Sequence, residues 1–136
     1  GKHGQPFNII KFRTMYLNSE KNGPQLSSAN DSRITRFGKF LRKTSVDELP
    51  QLLNVLRGEM SIVGPRPLLK EYLPRYTISQ RARHQVKPGI TGLAQVNGRN
   101  ALSWKDSLQL DVEYVKKISF ILDFKIIIKT TIAPLR

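Results

Sequence analysis

Asp47 and Glu48 form the one directly adjacent acidic pair in a chain that carries 23 Lys and Arg against 10 Asp and Glu. Arg42 and Lys43 closely precede them. Nearby cations and a helix N-terminus both favour an ionised carboxylate, and an ionised aspartate can attack phosphorus or hold Mg2+. The same residues have a plainer reading. Ser45-Val46-Asp47-Glu48 has the Ser-x-x-Glu form of a capping box, in which Glu48 satisfies a backbone donor and Asp47 complements the helix dipole. Spacing alone leaves both readings open. Arg66 is bracketed by Pro65 and Pro67, which restrict the backbone on either side and would hold a guanidinium fork ready for phosphate oxygens. A stiff turn with an exposed arginine is the alternative. Arg99, after Asn97-Gly98, carries the same two readings.

Charge narrows the partners. A formal net charge of +13 on 136 residues attracts nucleic acid, anionic lipid headgroups and phosphorylated small molecules alike. The absence of cysteine removes disulfides, thiolate metal sites and cysteine nucleophiles. His3 and His84 lie far apart without metal-ligand spacing, which argues against zinc. Neither Gly-x-x-x-x-Gly-Lys-Ser/Thr nor Gly-x-Gly-x-x-Gly occurs, so a phosphate site would be built from Arg, Lys and metal. No apolar run reaches the roughly 18 residues that span a bilayer.

These groups need a scaffold. Phe7 to Met15, rich in β-branched and aromatic residues, reads as a short strand with Lys11 and Arg13 on one face. Asn18 to Ser32 is polar and reads as a surface loop. Asp31 or Ser32 is placed to cap a basic amphipathic helix carrying Ile34, Phe37 and Leu41, suited to a membrane interface or to a solvated basic face. A second helix is predicted from Ser45, with Leu49, Leu52, Leu53 and Leu56 on one face and Gly58 ending it. Met60 to Val63 predicts a strand running into the Pro-bracketed loop. Leu69 to Arg83 reads as a helix broken at Pro74, and Lys87 to Arg99 as small strands or a hairpin. Trp104 to Lys117 and Phe120 to Ile132 read as helices, with a strand still open for the Ile-rich second one. The expected fold is α+β, mainly helical with a few short strands, and residues 1–136 show no composition break that would divide a single domain.

Several blocks taken together resemble the bacterial sugar transferases, the monotopic polyprenyl-phosphate hexose-1-phosphate transferases. They are Lys11-Phe12-Arg13-Thr14-Met15, Arg33-Ile34-Thr35, Leu41-Arg42, Asp47-Glu48-Leu49-Pro50-Gln51, Gly64-Pro65-Arg66-Pro67, Pro88-Gly89-Ile90-Thr91-Gly92 and Gln95-Val96-Asn97-Gly98-Arg99. They cover nearly the whole chain in order. The resemblance implies transfer of sugar 1-phosphate from a UDP-sugar to undecaprenyl phosphate, with release of UMP and a requirement for Mg2+. It implies Asp47 as the nucleophile that forms a phosphosugar-aspartyl intermediate, with Glu48 completing the dyad in a metal or proton-transfer role. Arg42, Arg66 and Arg99 match family positions expected to contact phosphate, with Lys11, Arg13 and Asp111 as weaker candidates. Pro65 and Pro67 are expected to shape the nucleotide end of the site. The family's setting implies the cytoplasmic face of the bacterial inner membrane, an anionic membrane surface as partner, and an N-terminal membrane-inserted segment upstream of this chain, which opens Gly1-Lys2-His3.

Two rival readings follow from charge. One is a basic module binding nucleic acid, although no recognised nucleic-acid motif is present and nucleic acid is not the expected partner. The other is a membrane-peripheral scaffold whose dyad is only structural.

Overall fold

Helix dominates the computed structural model, which describes residues 1–19, 31–98 and 101–132. The only sheet among these residues is a pair of short parallel strands. The expected α+β, mainly helical class therefore holds. Contacts divide the chain into two compact units, one formed by Ile10–Pro50, the other by Gly1–Ile9 with Gln51–Ala133.

Among the described residues of the Ile10–Pro50 unit, the longest regular element is helix α1, Arg36–Thr44. Its cap is Thr35, whose hydroxyl accepts from Gly38 N–H at 2.8 Å. Asp31 and Ser32, expected to cap it, lie too far upstream. Asp31 instead binds Arg33 through the backbone N–H and the guanidinium, at 2.6 Å to Nη2. Leu41 of α1 is buried, whereas Phe37 and Phe40 are exposed and stack with ring centroids 6.3 Å apart. The helix ends where Ser45 turns left-handed, with φ 58°, and returns its N–H to Arg42 C=O. The capping box expected at Ser45 is thus not formed. A capping serine needs an extended backbone, and this residue spends its conformation closing the preceding helix. Val46–Glu48 follow as a single 3-10 turn.

The strand expected over Phe7 to Met15 reduces, among the described residues, to one antiparallel bridge between Met15 and Ile34. Its backbone partners come from loops rather than a neighbouring strand. Thr14 C=O accepts from Thr35 N–H at 3.0 Å, Tyr16 N–H donates to Arg33 C=O, and Phe12 N–H donates to Asp47 C=O at 3.0 Å. Most of the expected polar loop, residues 20–30, lies outside the described residues.

In the second unit a 3-10 turn, Lys2–Gly4, precedes α2, Gln51–Leu56. The leucines expected on one face of α2 lie at the surface. Leu52, Leu53 and Leu56 are exposed while Asn54 is fully buried, donating to Asn8 C=O at 2.8 Å and to Glu59 Oε2 at 2.7 Å. Burial of an amide is tolerated because both of its hydrogens find acceptors. Gly58, at φ 78°, ends the turn as expected.

Strand β1, Ser61–Val63, pairs in parallel with β2, Gly89–Thr91, in the register Ser61 to Gly89 and Val63 to Thr91. The intervening chain is not one kinked helix. It comprises a 3-10 stretch Lys70–Arg75, helix α3 Ile78–Arg81 and a second 3-10 stretch Ala82–Gln85. The first contains Pro74 and ends at Arg75, where Tyr76 turns extended, and Thr77 starts afresh with a full capping box to Gln80. Of the small strands or hairpin expected over Lys87 to Arg99, the described residues form one small strand and no hairpin. β2 pairs with β1 and is followed directly by α4, Leu93–Val96. Glycine permits the backbones to meet there, since a Cβ on Gly92 would fall 2.1 Å from Gly64 C=O. Helices α5, Trp104–Lys117, and α6, Phe120–Ile132, match their predicted ranges. The core joins Val63, Tyr114 and Ile126, with Leu93, Val96 and Leu122 packed against them. Each such aliphatic side chain contributes about 1.5–3 kcal/mol on full burial. Tyr114 OH donates to Asp123 Oδ1 at 2.7 Å, tying α5 to α6.

Candidate functional site

The dyad sits in the 3-10 turn that follows α1. Asp47 is buried at 6% exposure and Glu48 is half-buried. The dyad thus lies in a short 3-10 turn rather than in the first turn of a longer helix. The Asp47 carbonyl accepts from Phe12 N–H, which lies between Lys11 and Arg13. The segment carrying two expected phosphate ligands is thereby stitched to the backbone of the dyad.

Arg42 belongs to the same unit. It reaches from the last turn of α1 to donate through Nε to Thr14 Oγ1 at 2.8 Å. Lys11, Arg13 and Arg42, with Phe12, Thr14 and Tyr16, line an open cleft of about 580 Å3. Three cations around one concavity give it the positive field that an anion would meet. Thr14, which sequence reasoning passed over, is the hydroxyl that holds Arg42 in that wall.

In the second unit, Gly64-Pro65-Arg66-Pro67 follows β1 directly. Gly64 N–H donates to Thr91 C=O at 2.9 Å and Pro65 C=O accepts from Gly89 N–H at 3.0 Å, so β2 holds the loop by its backbone. Pro65 is buried, Pro67 half-buried and Arg66 exposed. All peptide bonds of the described residues are trans. Arg99 lies outside the described residues.

Asp111, a weaker candidate for substrate contact, is buried in α5 and paired with Arg83. Arg83 Nη2 lies 2.7 Å from Asp111 Oδ2, with the two side chains 2% and 3% exposed. Burial raises the Asp111 carboxyl above its ordinary range, with the Arg83 charge opposing. Arg83 also donates to Tyr76 OH at 3.2 Å and to Arg66 C=O at 2.6 Å. Nothing in the sequence marks Arg83 among the many arginines and lysines, because burial is what distinguishes it.

A family model described as bacterial sugar transferase matches residues 1–136, the whole of the sequence. The chain belongs to the bacterial sugar transferase family. It is 56% identical over 130 residues to the uncharacterized sugar transferase EpsL of Bacillus subtilis, an alignment covering 96% of this chain and 63% of that protein. It is 47% identical over 146 residues to the undecaprenyl-phosphate glucose phosphotransferase of Komagataeibacter xylinus, covering 96% of this chain and 27% of the relative. With the undecaprenyl-phosphate galactose phosphotransferase of Salmonella typhimurium the identity is 42% over 151 residues, covering 100% of this chain and 32% of the relative. This sugar transferase family chain thus spans less than two thirds of each of these relatives. No described helix in it is long and apolar enough to cross a membrane.

Proposed function

We propose that this chain carries the catalytic residues of a phosphotransferase that moves sugar 1-phosphate from a UDP-sugar to undecaprenyl phosphate and releases UMP, the opening step of a surface polysaccharide. The observation that carries the reading is the attachment of the dyad's backbone to the Lys11–Arg13 segment in a family member. On this reading Asp47 is the nucleophile, and the cations of the segment bonded to its backbone lower the repulsion between it and an anionic substrate.

In the proposed reaction an Asp47 carboxylate oxygen attacks the sugar-proximal phosphorus. The new bond is acyl oxygen to phosphorus, and the bond that breaks joins that phosphorus to the bridging oxygen, which leaves on UMP. A phosphate oxygen of undecaprenyl phosphate then attacks the phosphosugar-aspartyl intermediate and returns Asp47 as carboxylate. Arg42, Lys11 and Arg13 bind phosphate oxygens, and Arg66 and Arg99 are assigned the same task. Pro65 and Pro67 keep the Arg66 backbone rigid at the nucleotide end. Mg2+ suits the dyad because it takes one or two carboxylates and fills its shell with water and substrate phosphates. No larger carboxylate or histidine cluster is present among the described residues. Bound by Asp47 and Glu48, it would neutralise phosphate charge. The exposed Phe37 and Phe40 of the basic helix α1 suit an anionic lipid surface, at the cytoplasmic face of the inner membrane.

The test is UMP release from a panel of UDP-sugars with Mg2+ and undecaprenyl phosphate. Asp47→Asn should abolish it. Turnover surviving in that variant would remove Asp47 as nucleophile, and salt-sensitive binding of generic DNA with no UMP release would favour the nucleic-acid module.

A further inference from the structure

The buried Arg83–Asp111 pair is not explained by packing. Taking two charges out of water is costly, and a well-packed apolar pair of similar volume usually serves stability as well or better. Its placement suggests another use. The Arg83 guanidinium spends its planar fork on groups that lie in different directions: Asp111 Oδ2 from both Nε and Nη2, Tyr76 OH from Nη1, and Arg66 C=O from Nη2. The Tyr76 ring centroid lies 5.6 Å from its central carbon.

Arg66 C=O is the one member of the phosphate-candidate loop in this set. The two residues before it are anchored to β2 through Gly64 N–H and Pro65 C=O. Arg83 therefore holds the next backbone group in line, while the Arg66 side chain stays exposed. Asp111 in turn orients the guanidinium and supplies its countercharge.

We propose that Arg83 and Asp111 form a positioning pair that locks the Arg66 backbone, so that the Arg66 guanidinium is presented in one geometry to the diphosphate of the nucleotide-sugar donor. This rests on the donor class proposed above. Asp111 acts through Arg83 and is not itself a substrate ligand. Lysine cannot replace Arg83, since a point charge on a flexible stem lacks the fork that spans Asp111 and Arg66 C=O together.

The experiment is calorimetric titration of the purified protein with UDP, which requires no turnover. Arg66→Ala should weaken UDP binding on the order of tenfold, the loss of a charge-assisted contact. Arg83→Lys should weaken it by a similar factor, and the double variant should bind no worse than Arg66→Ala alone. Circular dichroism confirms folding, and Asp111→Asn, which preserves shape, is the second variant should Arg83→Lys unfold. Independent, multiplying losses would overturn the proposal, as would unchanged UDP affinity in a folded Arg83 or Asp111 variant. So would a parent protein that does not bind UDP. Coupled UDP binding without UMP release would instead leave this inference standing and sink the catalytic reading.

Discussion

Replacing Gly38 by Ala sets helix propensity against packing. Gly38 lies inside α1, where propensity alone favours alanine by about 1 kcal/mol. In the folded protein, however, a Cβ at this position would lie 2.0 Å from Thr14 C=O, against about 3.3 Å for a close carbon–oxygen contact. The obstacle is backbone, so the segment around Thr14 must move by more than an ångström. That displacement disturbs the 3.0 Å bond from Thr35 N–H to Thr14 C=O and the 2.8 Å bond from Arg42 Nε to Thr14 Oγ1. Overpacking costs about 1–3 kcal/mol and each lost hydrogen bond about 0.5–1.5 kcal/mol. Offset by the propensity gain, the expected result is a loss of about 1–5 kcal/mol. Urea denaturation followed by circular dichroism measures it as a lower midpoint at unchanged slope. UMP release should fall as well, because Arg42 and the Lys11–Arg13 segment are displaced with Thr14. A Gly38→Ala variant as stable as the parent, or more so, would refute the close packing of α1 on Thr14.

Other expectations rest on separate contacts. Arg83→Met leaves Asp111 buried without its partner and should cost about 3–5 kcal/mol, whereas Arg83→Met with Asp111→Leu should recover part of that loss, short of parental stability because Tyr76 OH and Arg66 C=O stay without their donor; equal losses in urea melts would contradict this. Tyr114→Phe removes the hydrogen bond to Asp123 and should cost about 1.5–3 kcal/mol, as expected for a bond to a charged acceptor, measured by the same denaturation. The Arg33 guanidinium and backbone N–H hold the Asp31 carboxyl at about 2, below its ordinary 3.8. A depressed carboxylate pKa contributes stability that is present above 3.8 and lost as pH falls through about 2. Amide exchange over residues 31–35 should therefore stay protected at pH 4 and open towards pH 2, and Asp31→Asn should remove that acid dependence.

Much of the helical architecture is local and readable from sequence. The ranges of α5 and α6 follow from side-chain periodicity, and Gly58 ends its turn because its conformation is intrinsic to the residue. The short strand after Met60 was likewise legible. The misread elements are those where one local signal competed with another. Ser45 has the residue type and spacing of an N-cap, yet closes α1 in a left-handed conformation. Leu52, Leu53 and Leu56 are spaced for one helix face, yet Asn54 takes the buried position because backbone and Glu59 acceptors await it.

For the site, residue type and order determined the family, the dyad, and the basic and Pro-bracketed blocks, since these are properties of neighbours along the chain. Only the tertiary structure decided what each group touches. The Asp47 carbonyl accepts from Phe12 N–H, Arg42 is set by Thr14, and Asp111 is drawn to Arg83. The physical reason is that burial and hydrogen-bond partnership depend on residues distant in sequence. Arg83 and Asp111 are 28 positions apart, and no pattern in the chain distinguishes a buried arginine from the many solvated cations around it.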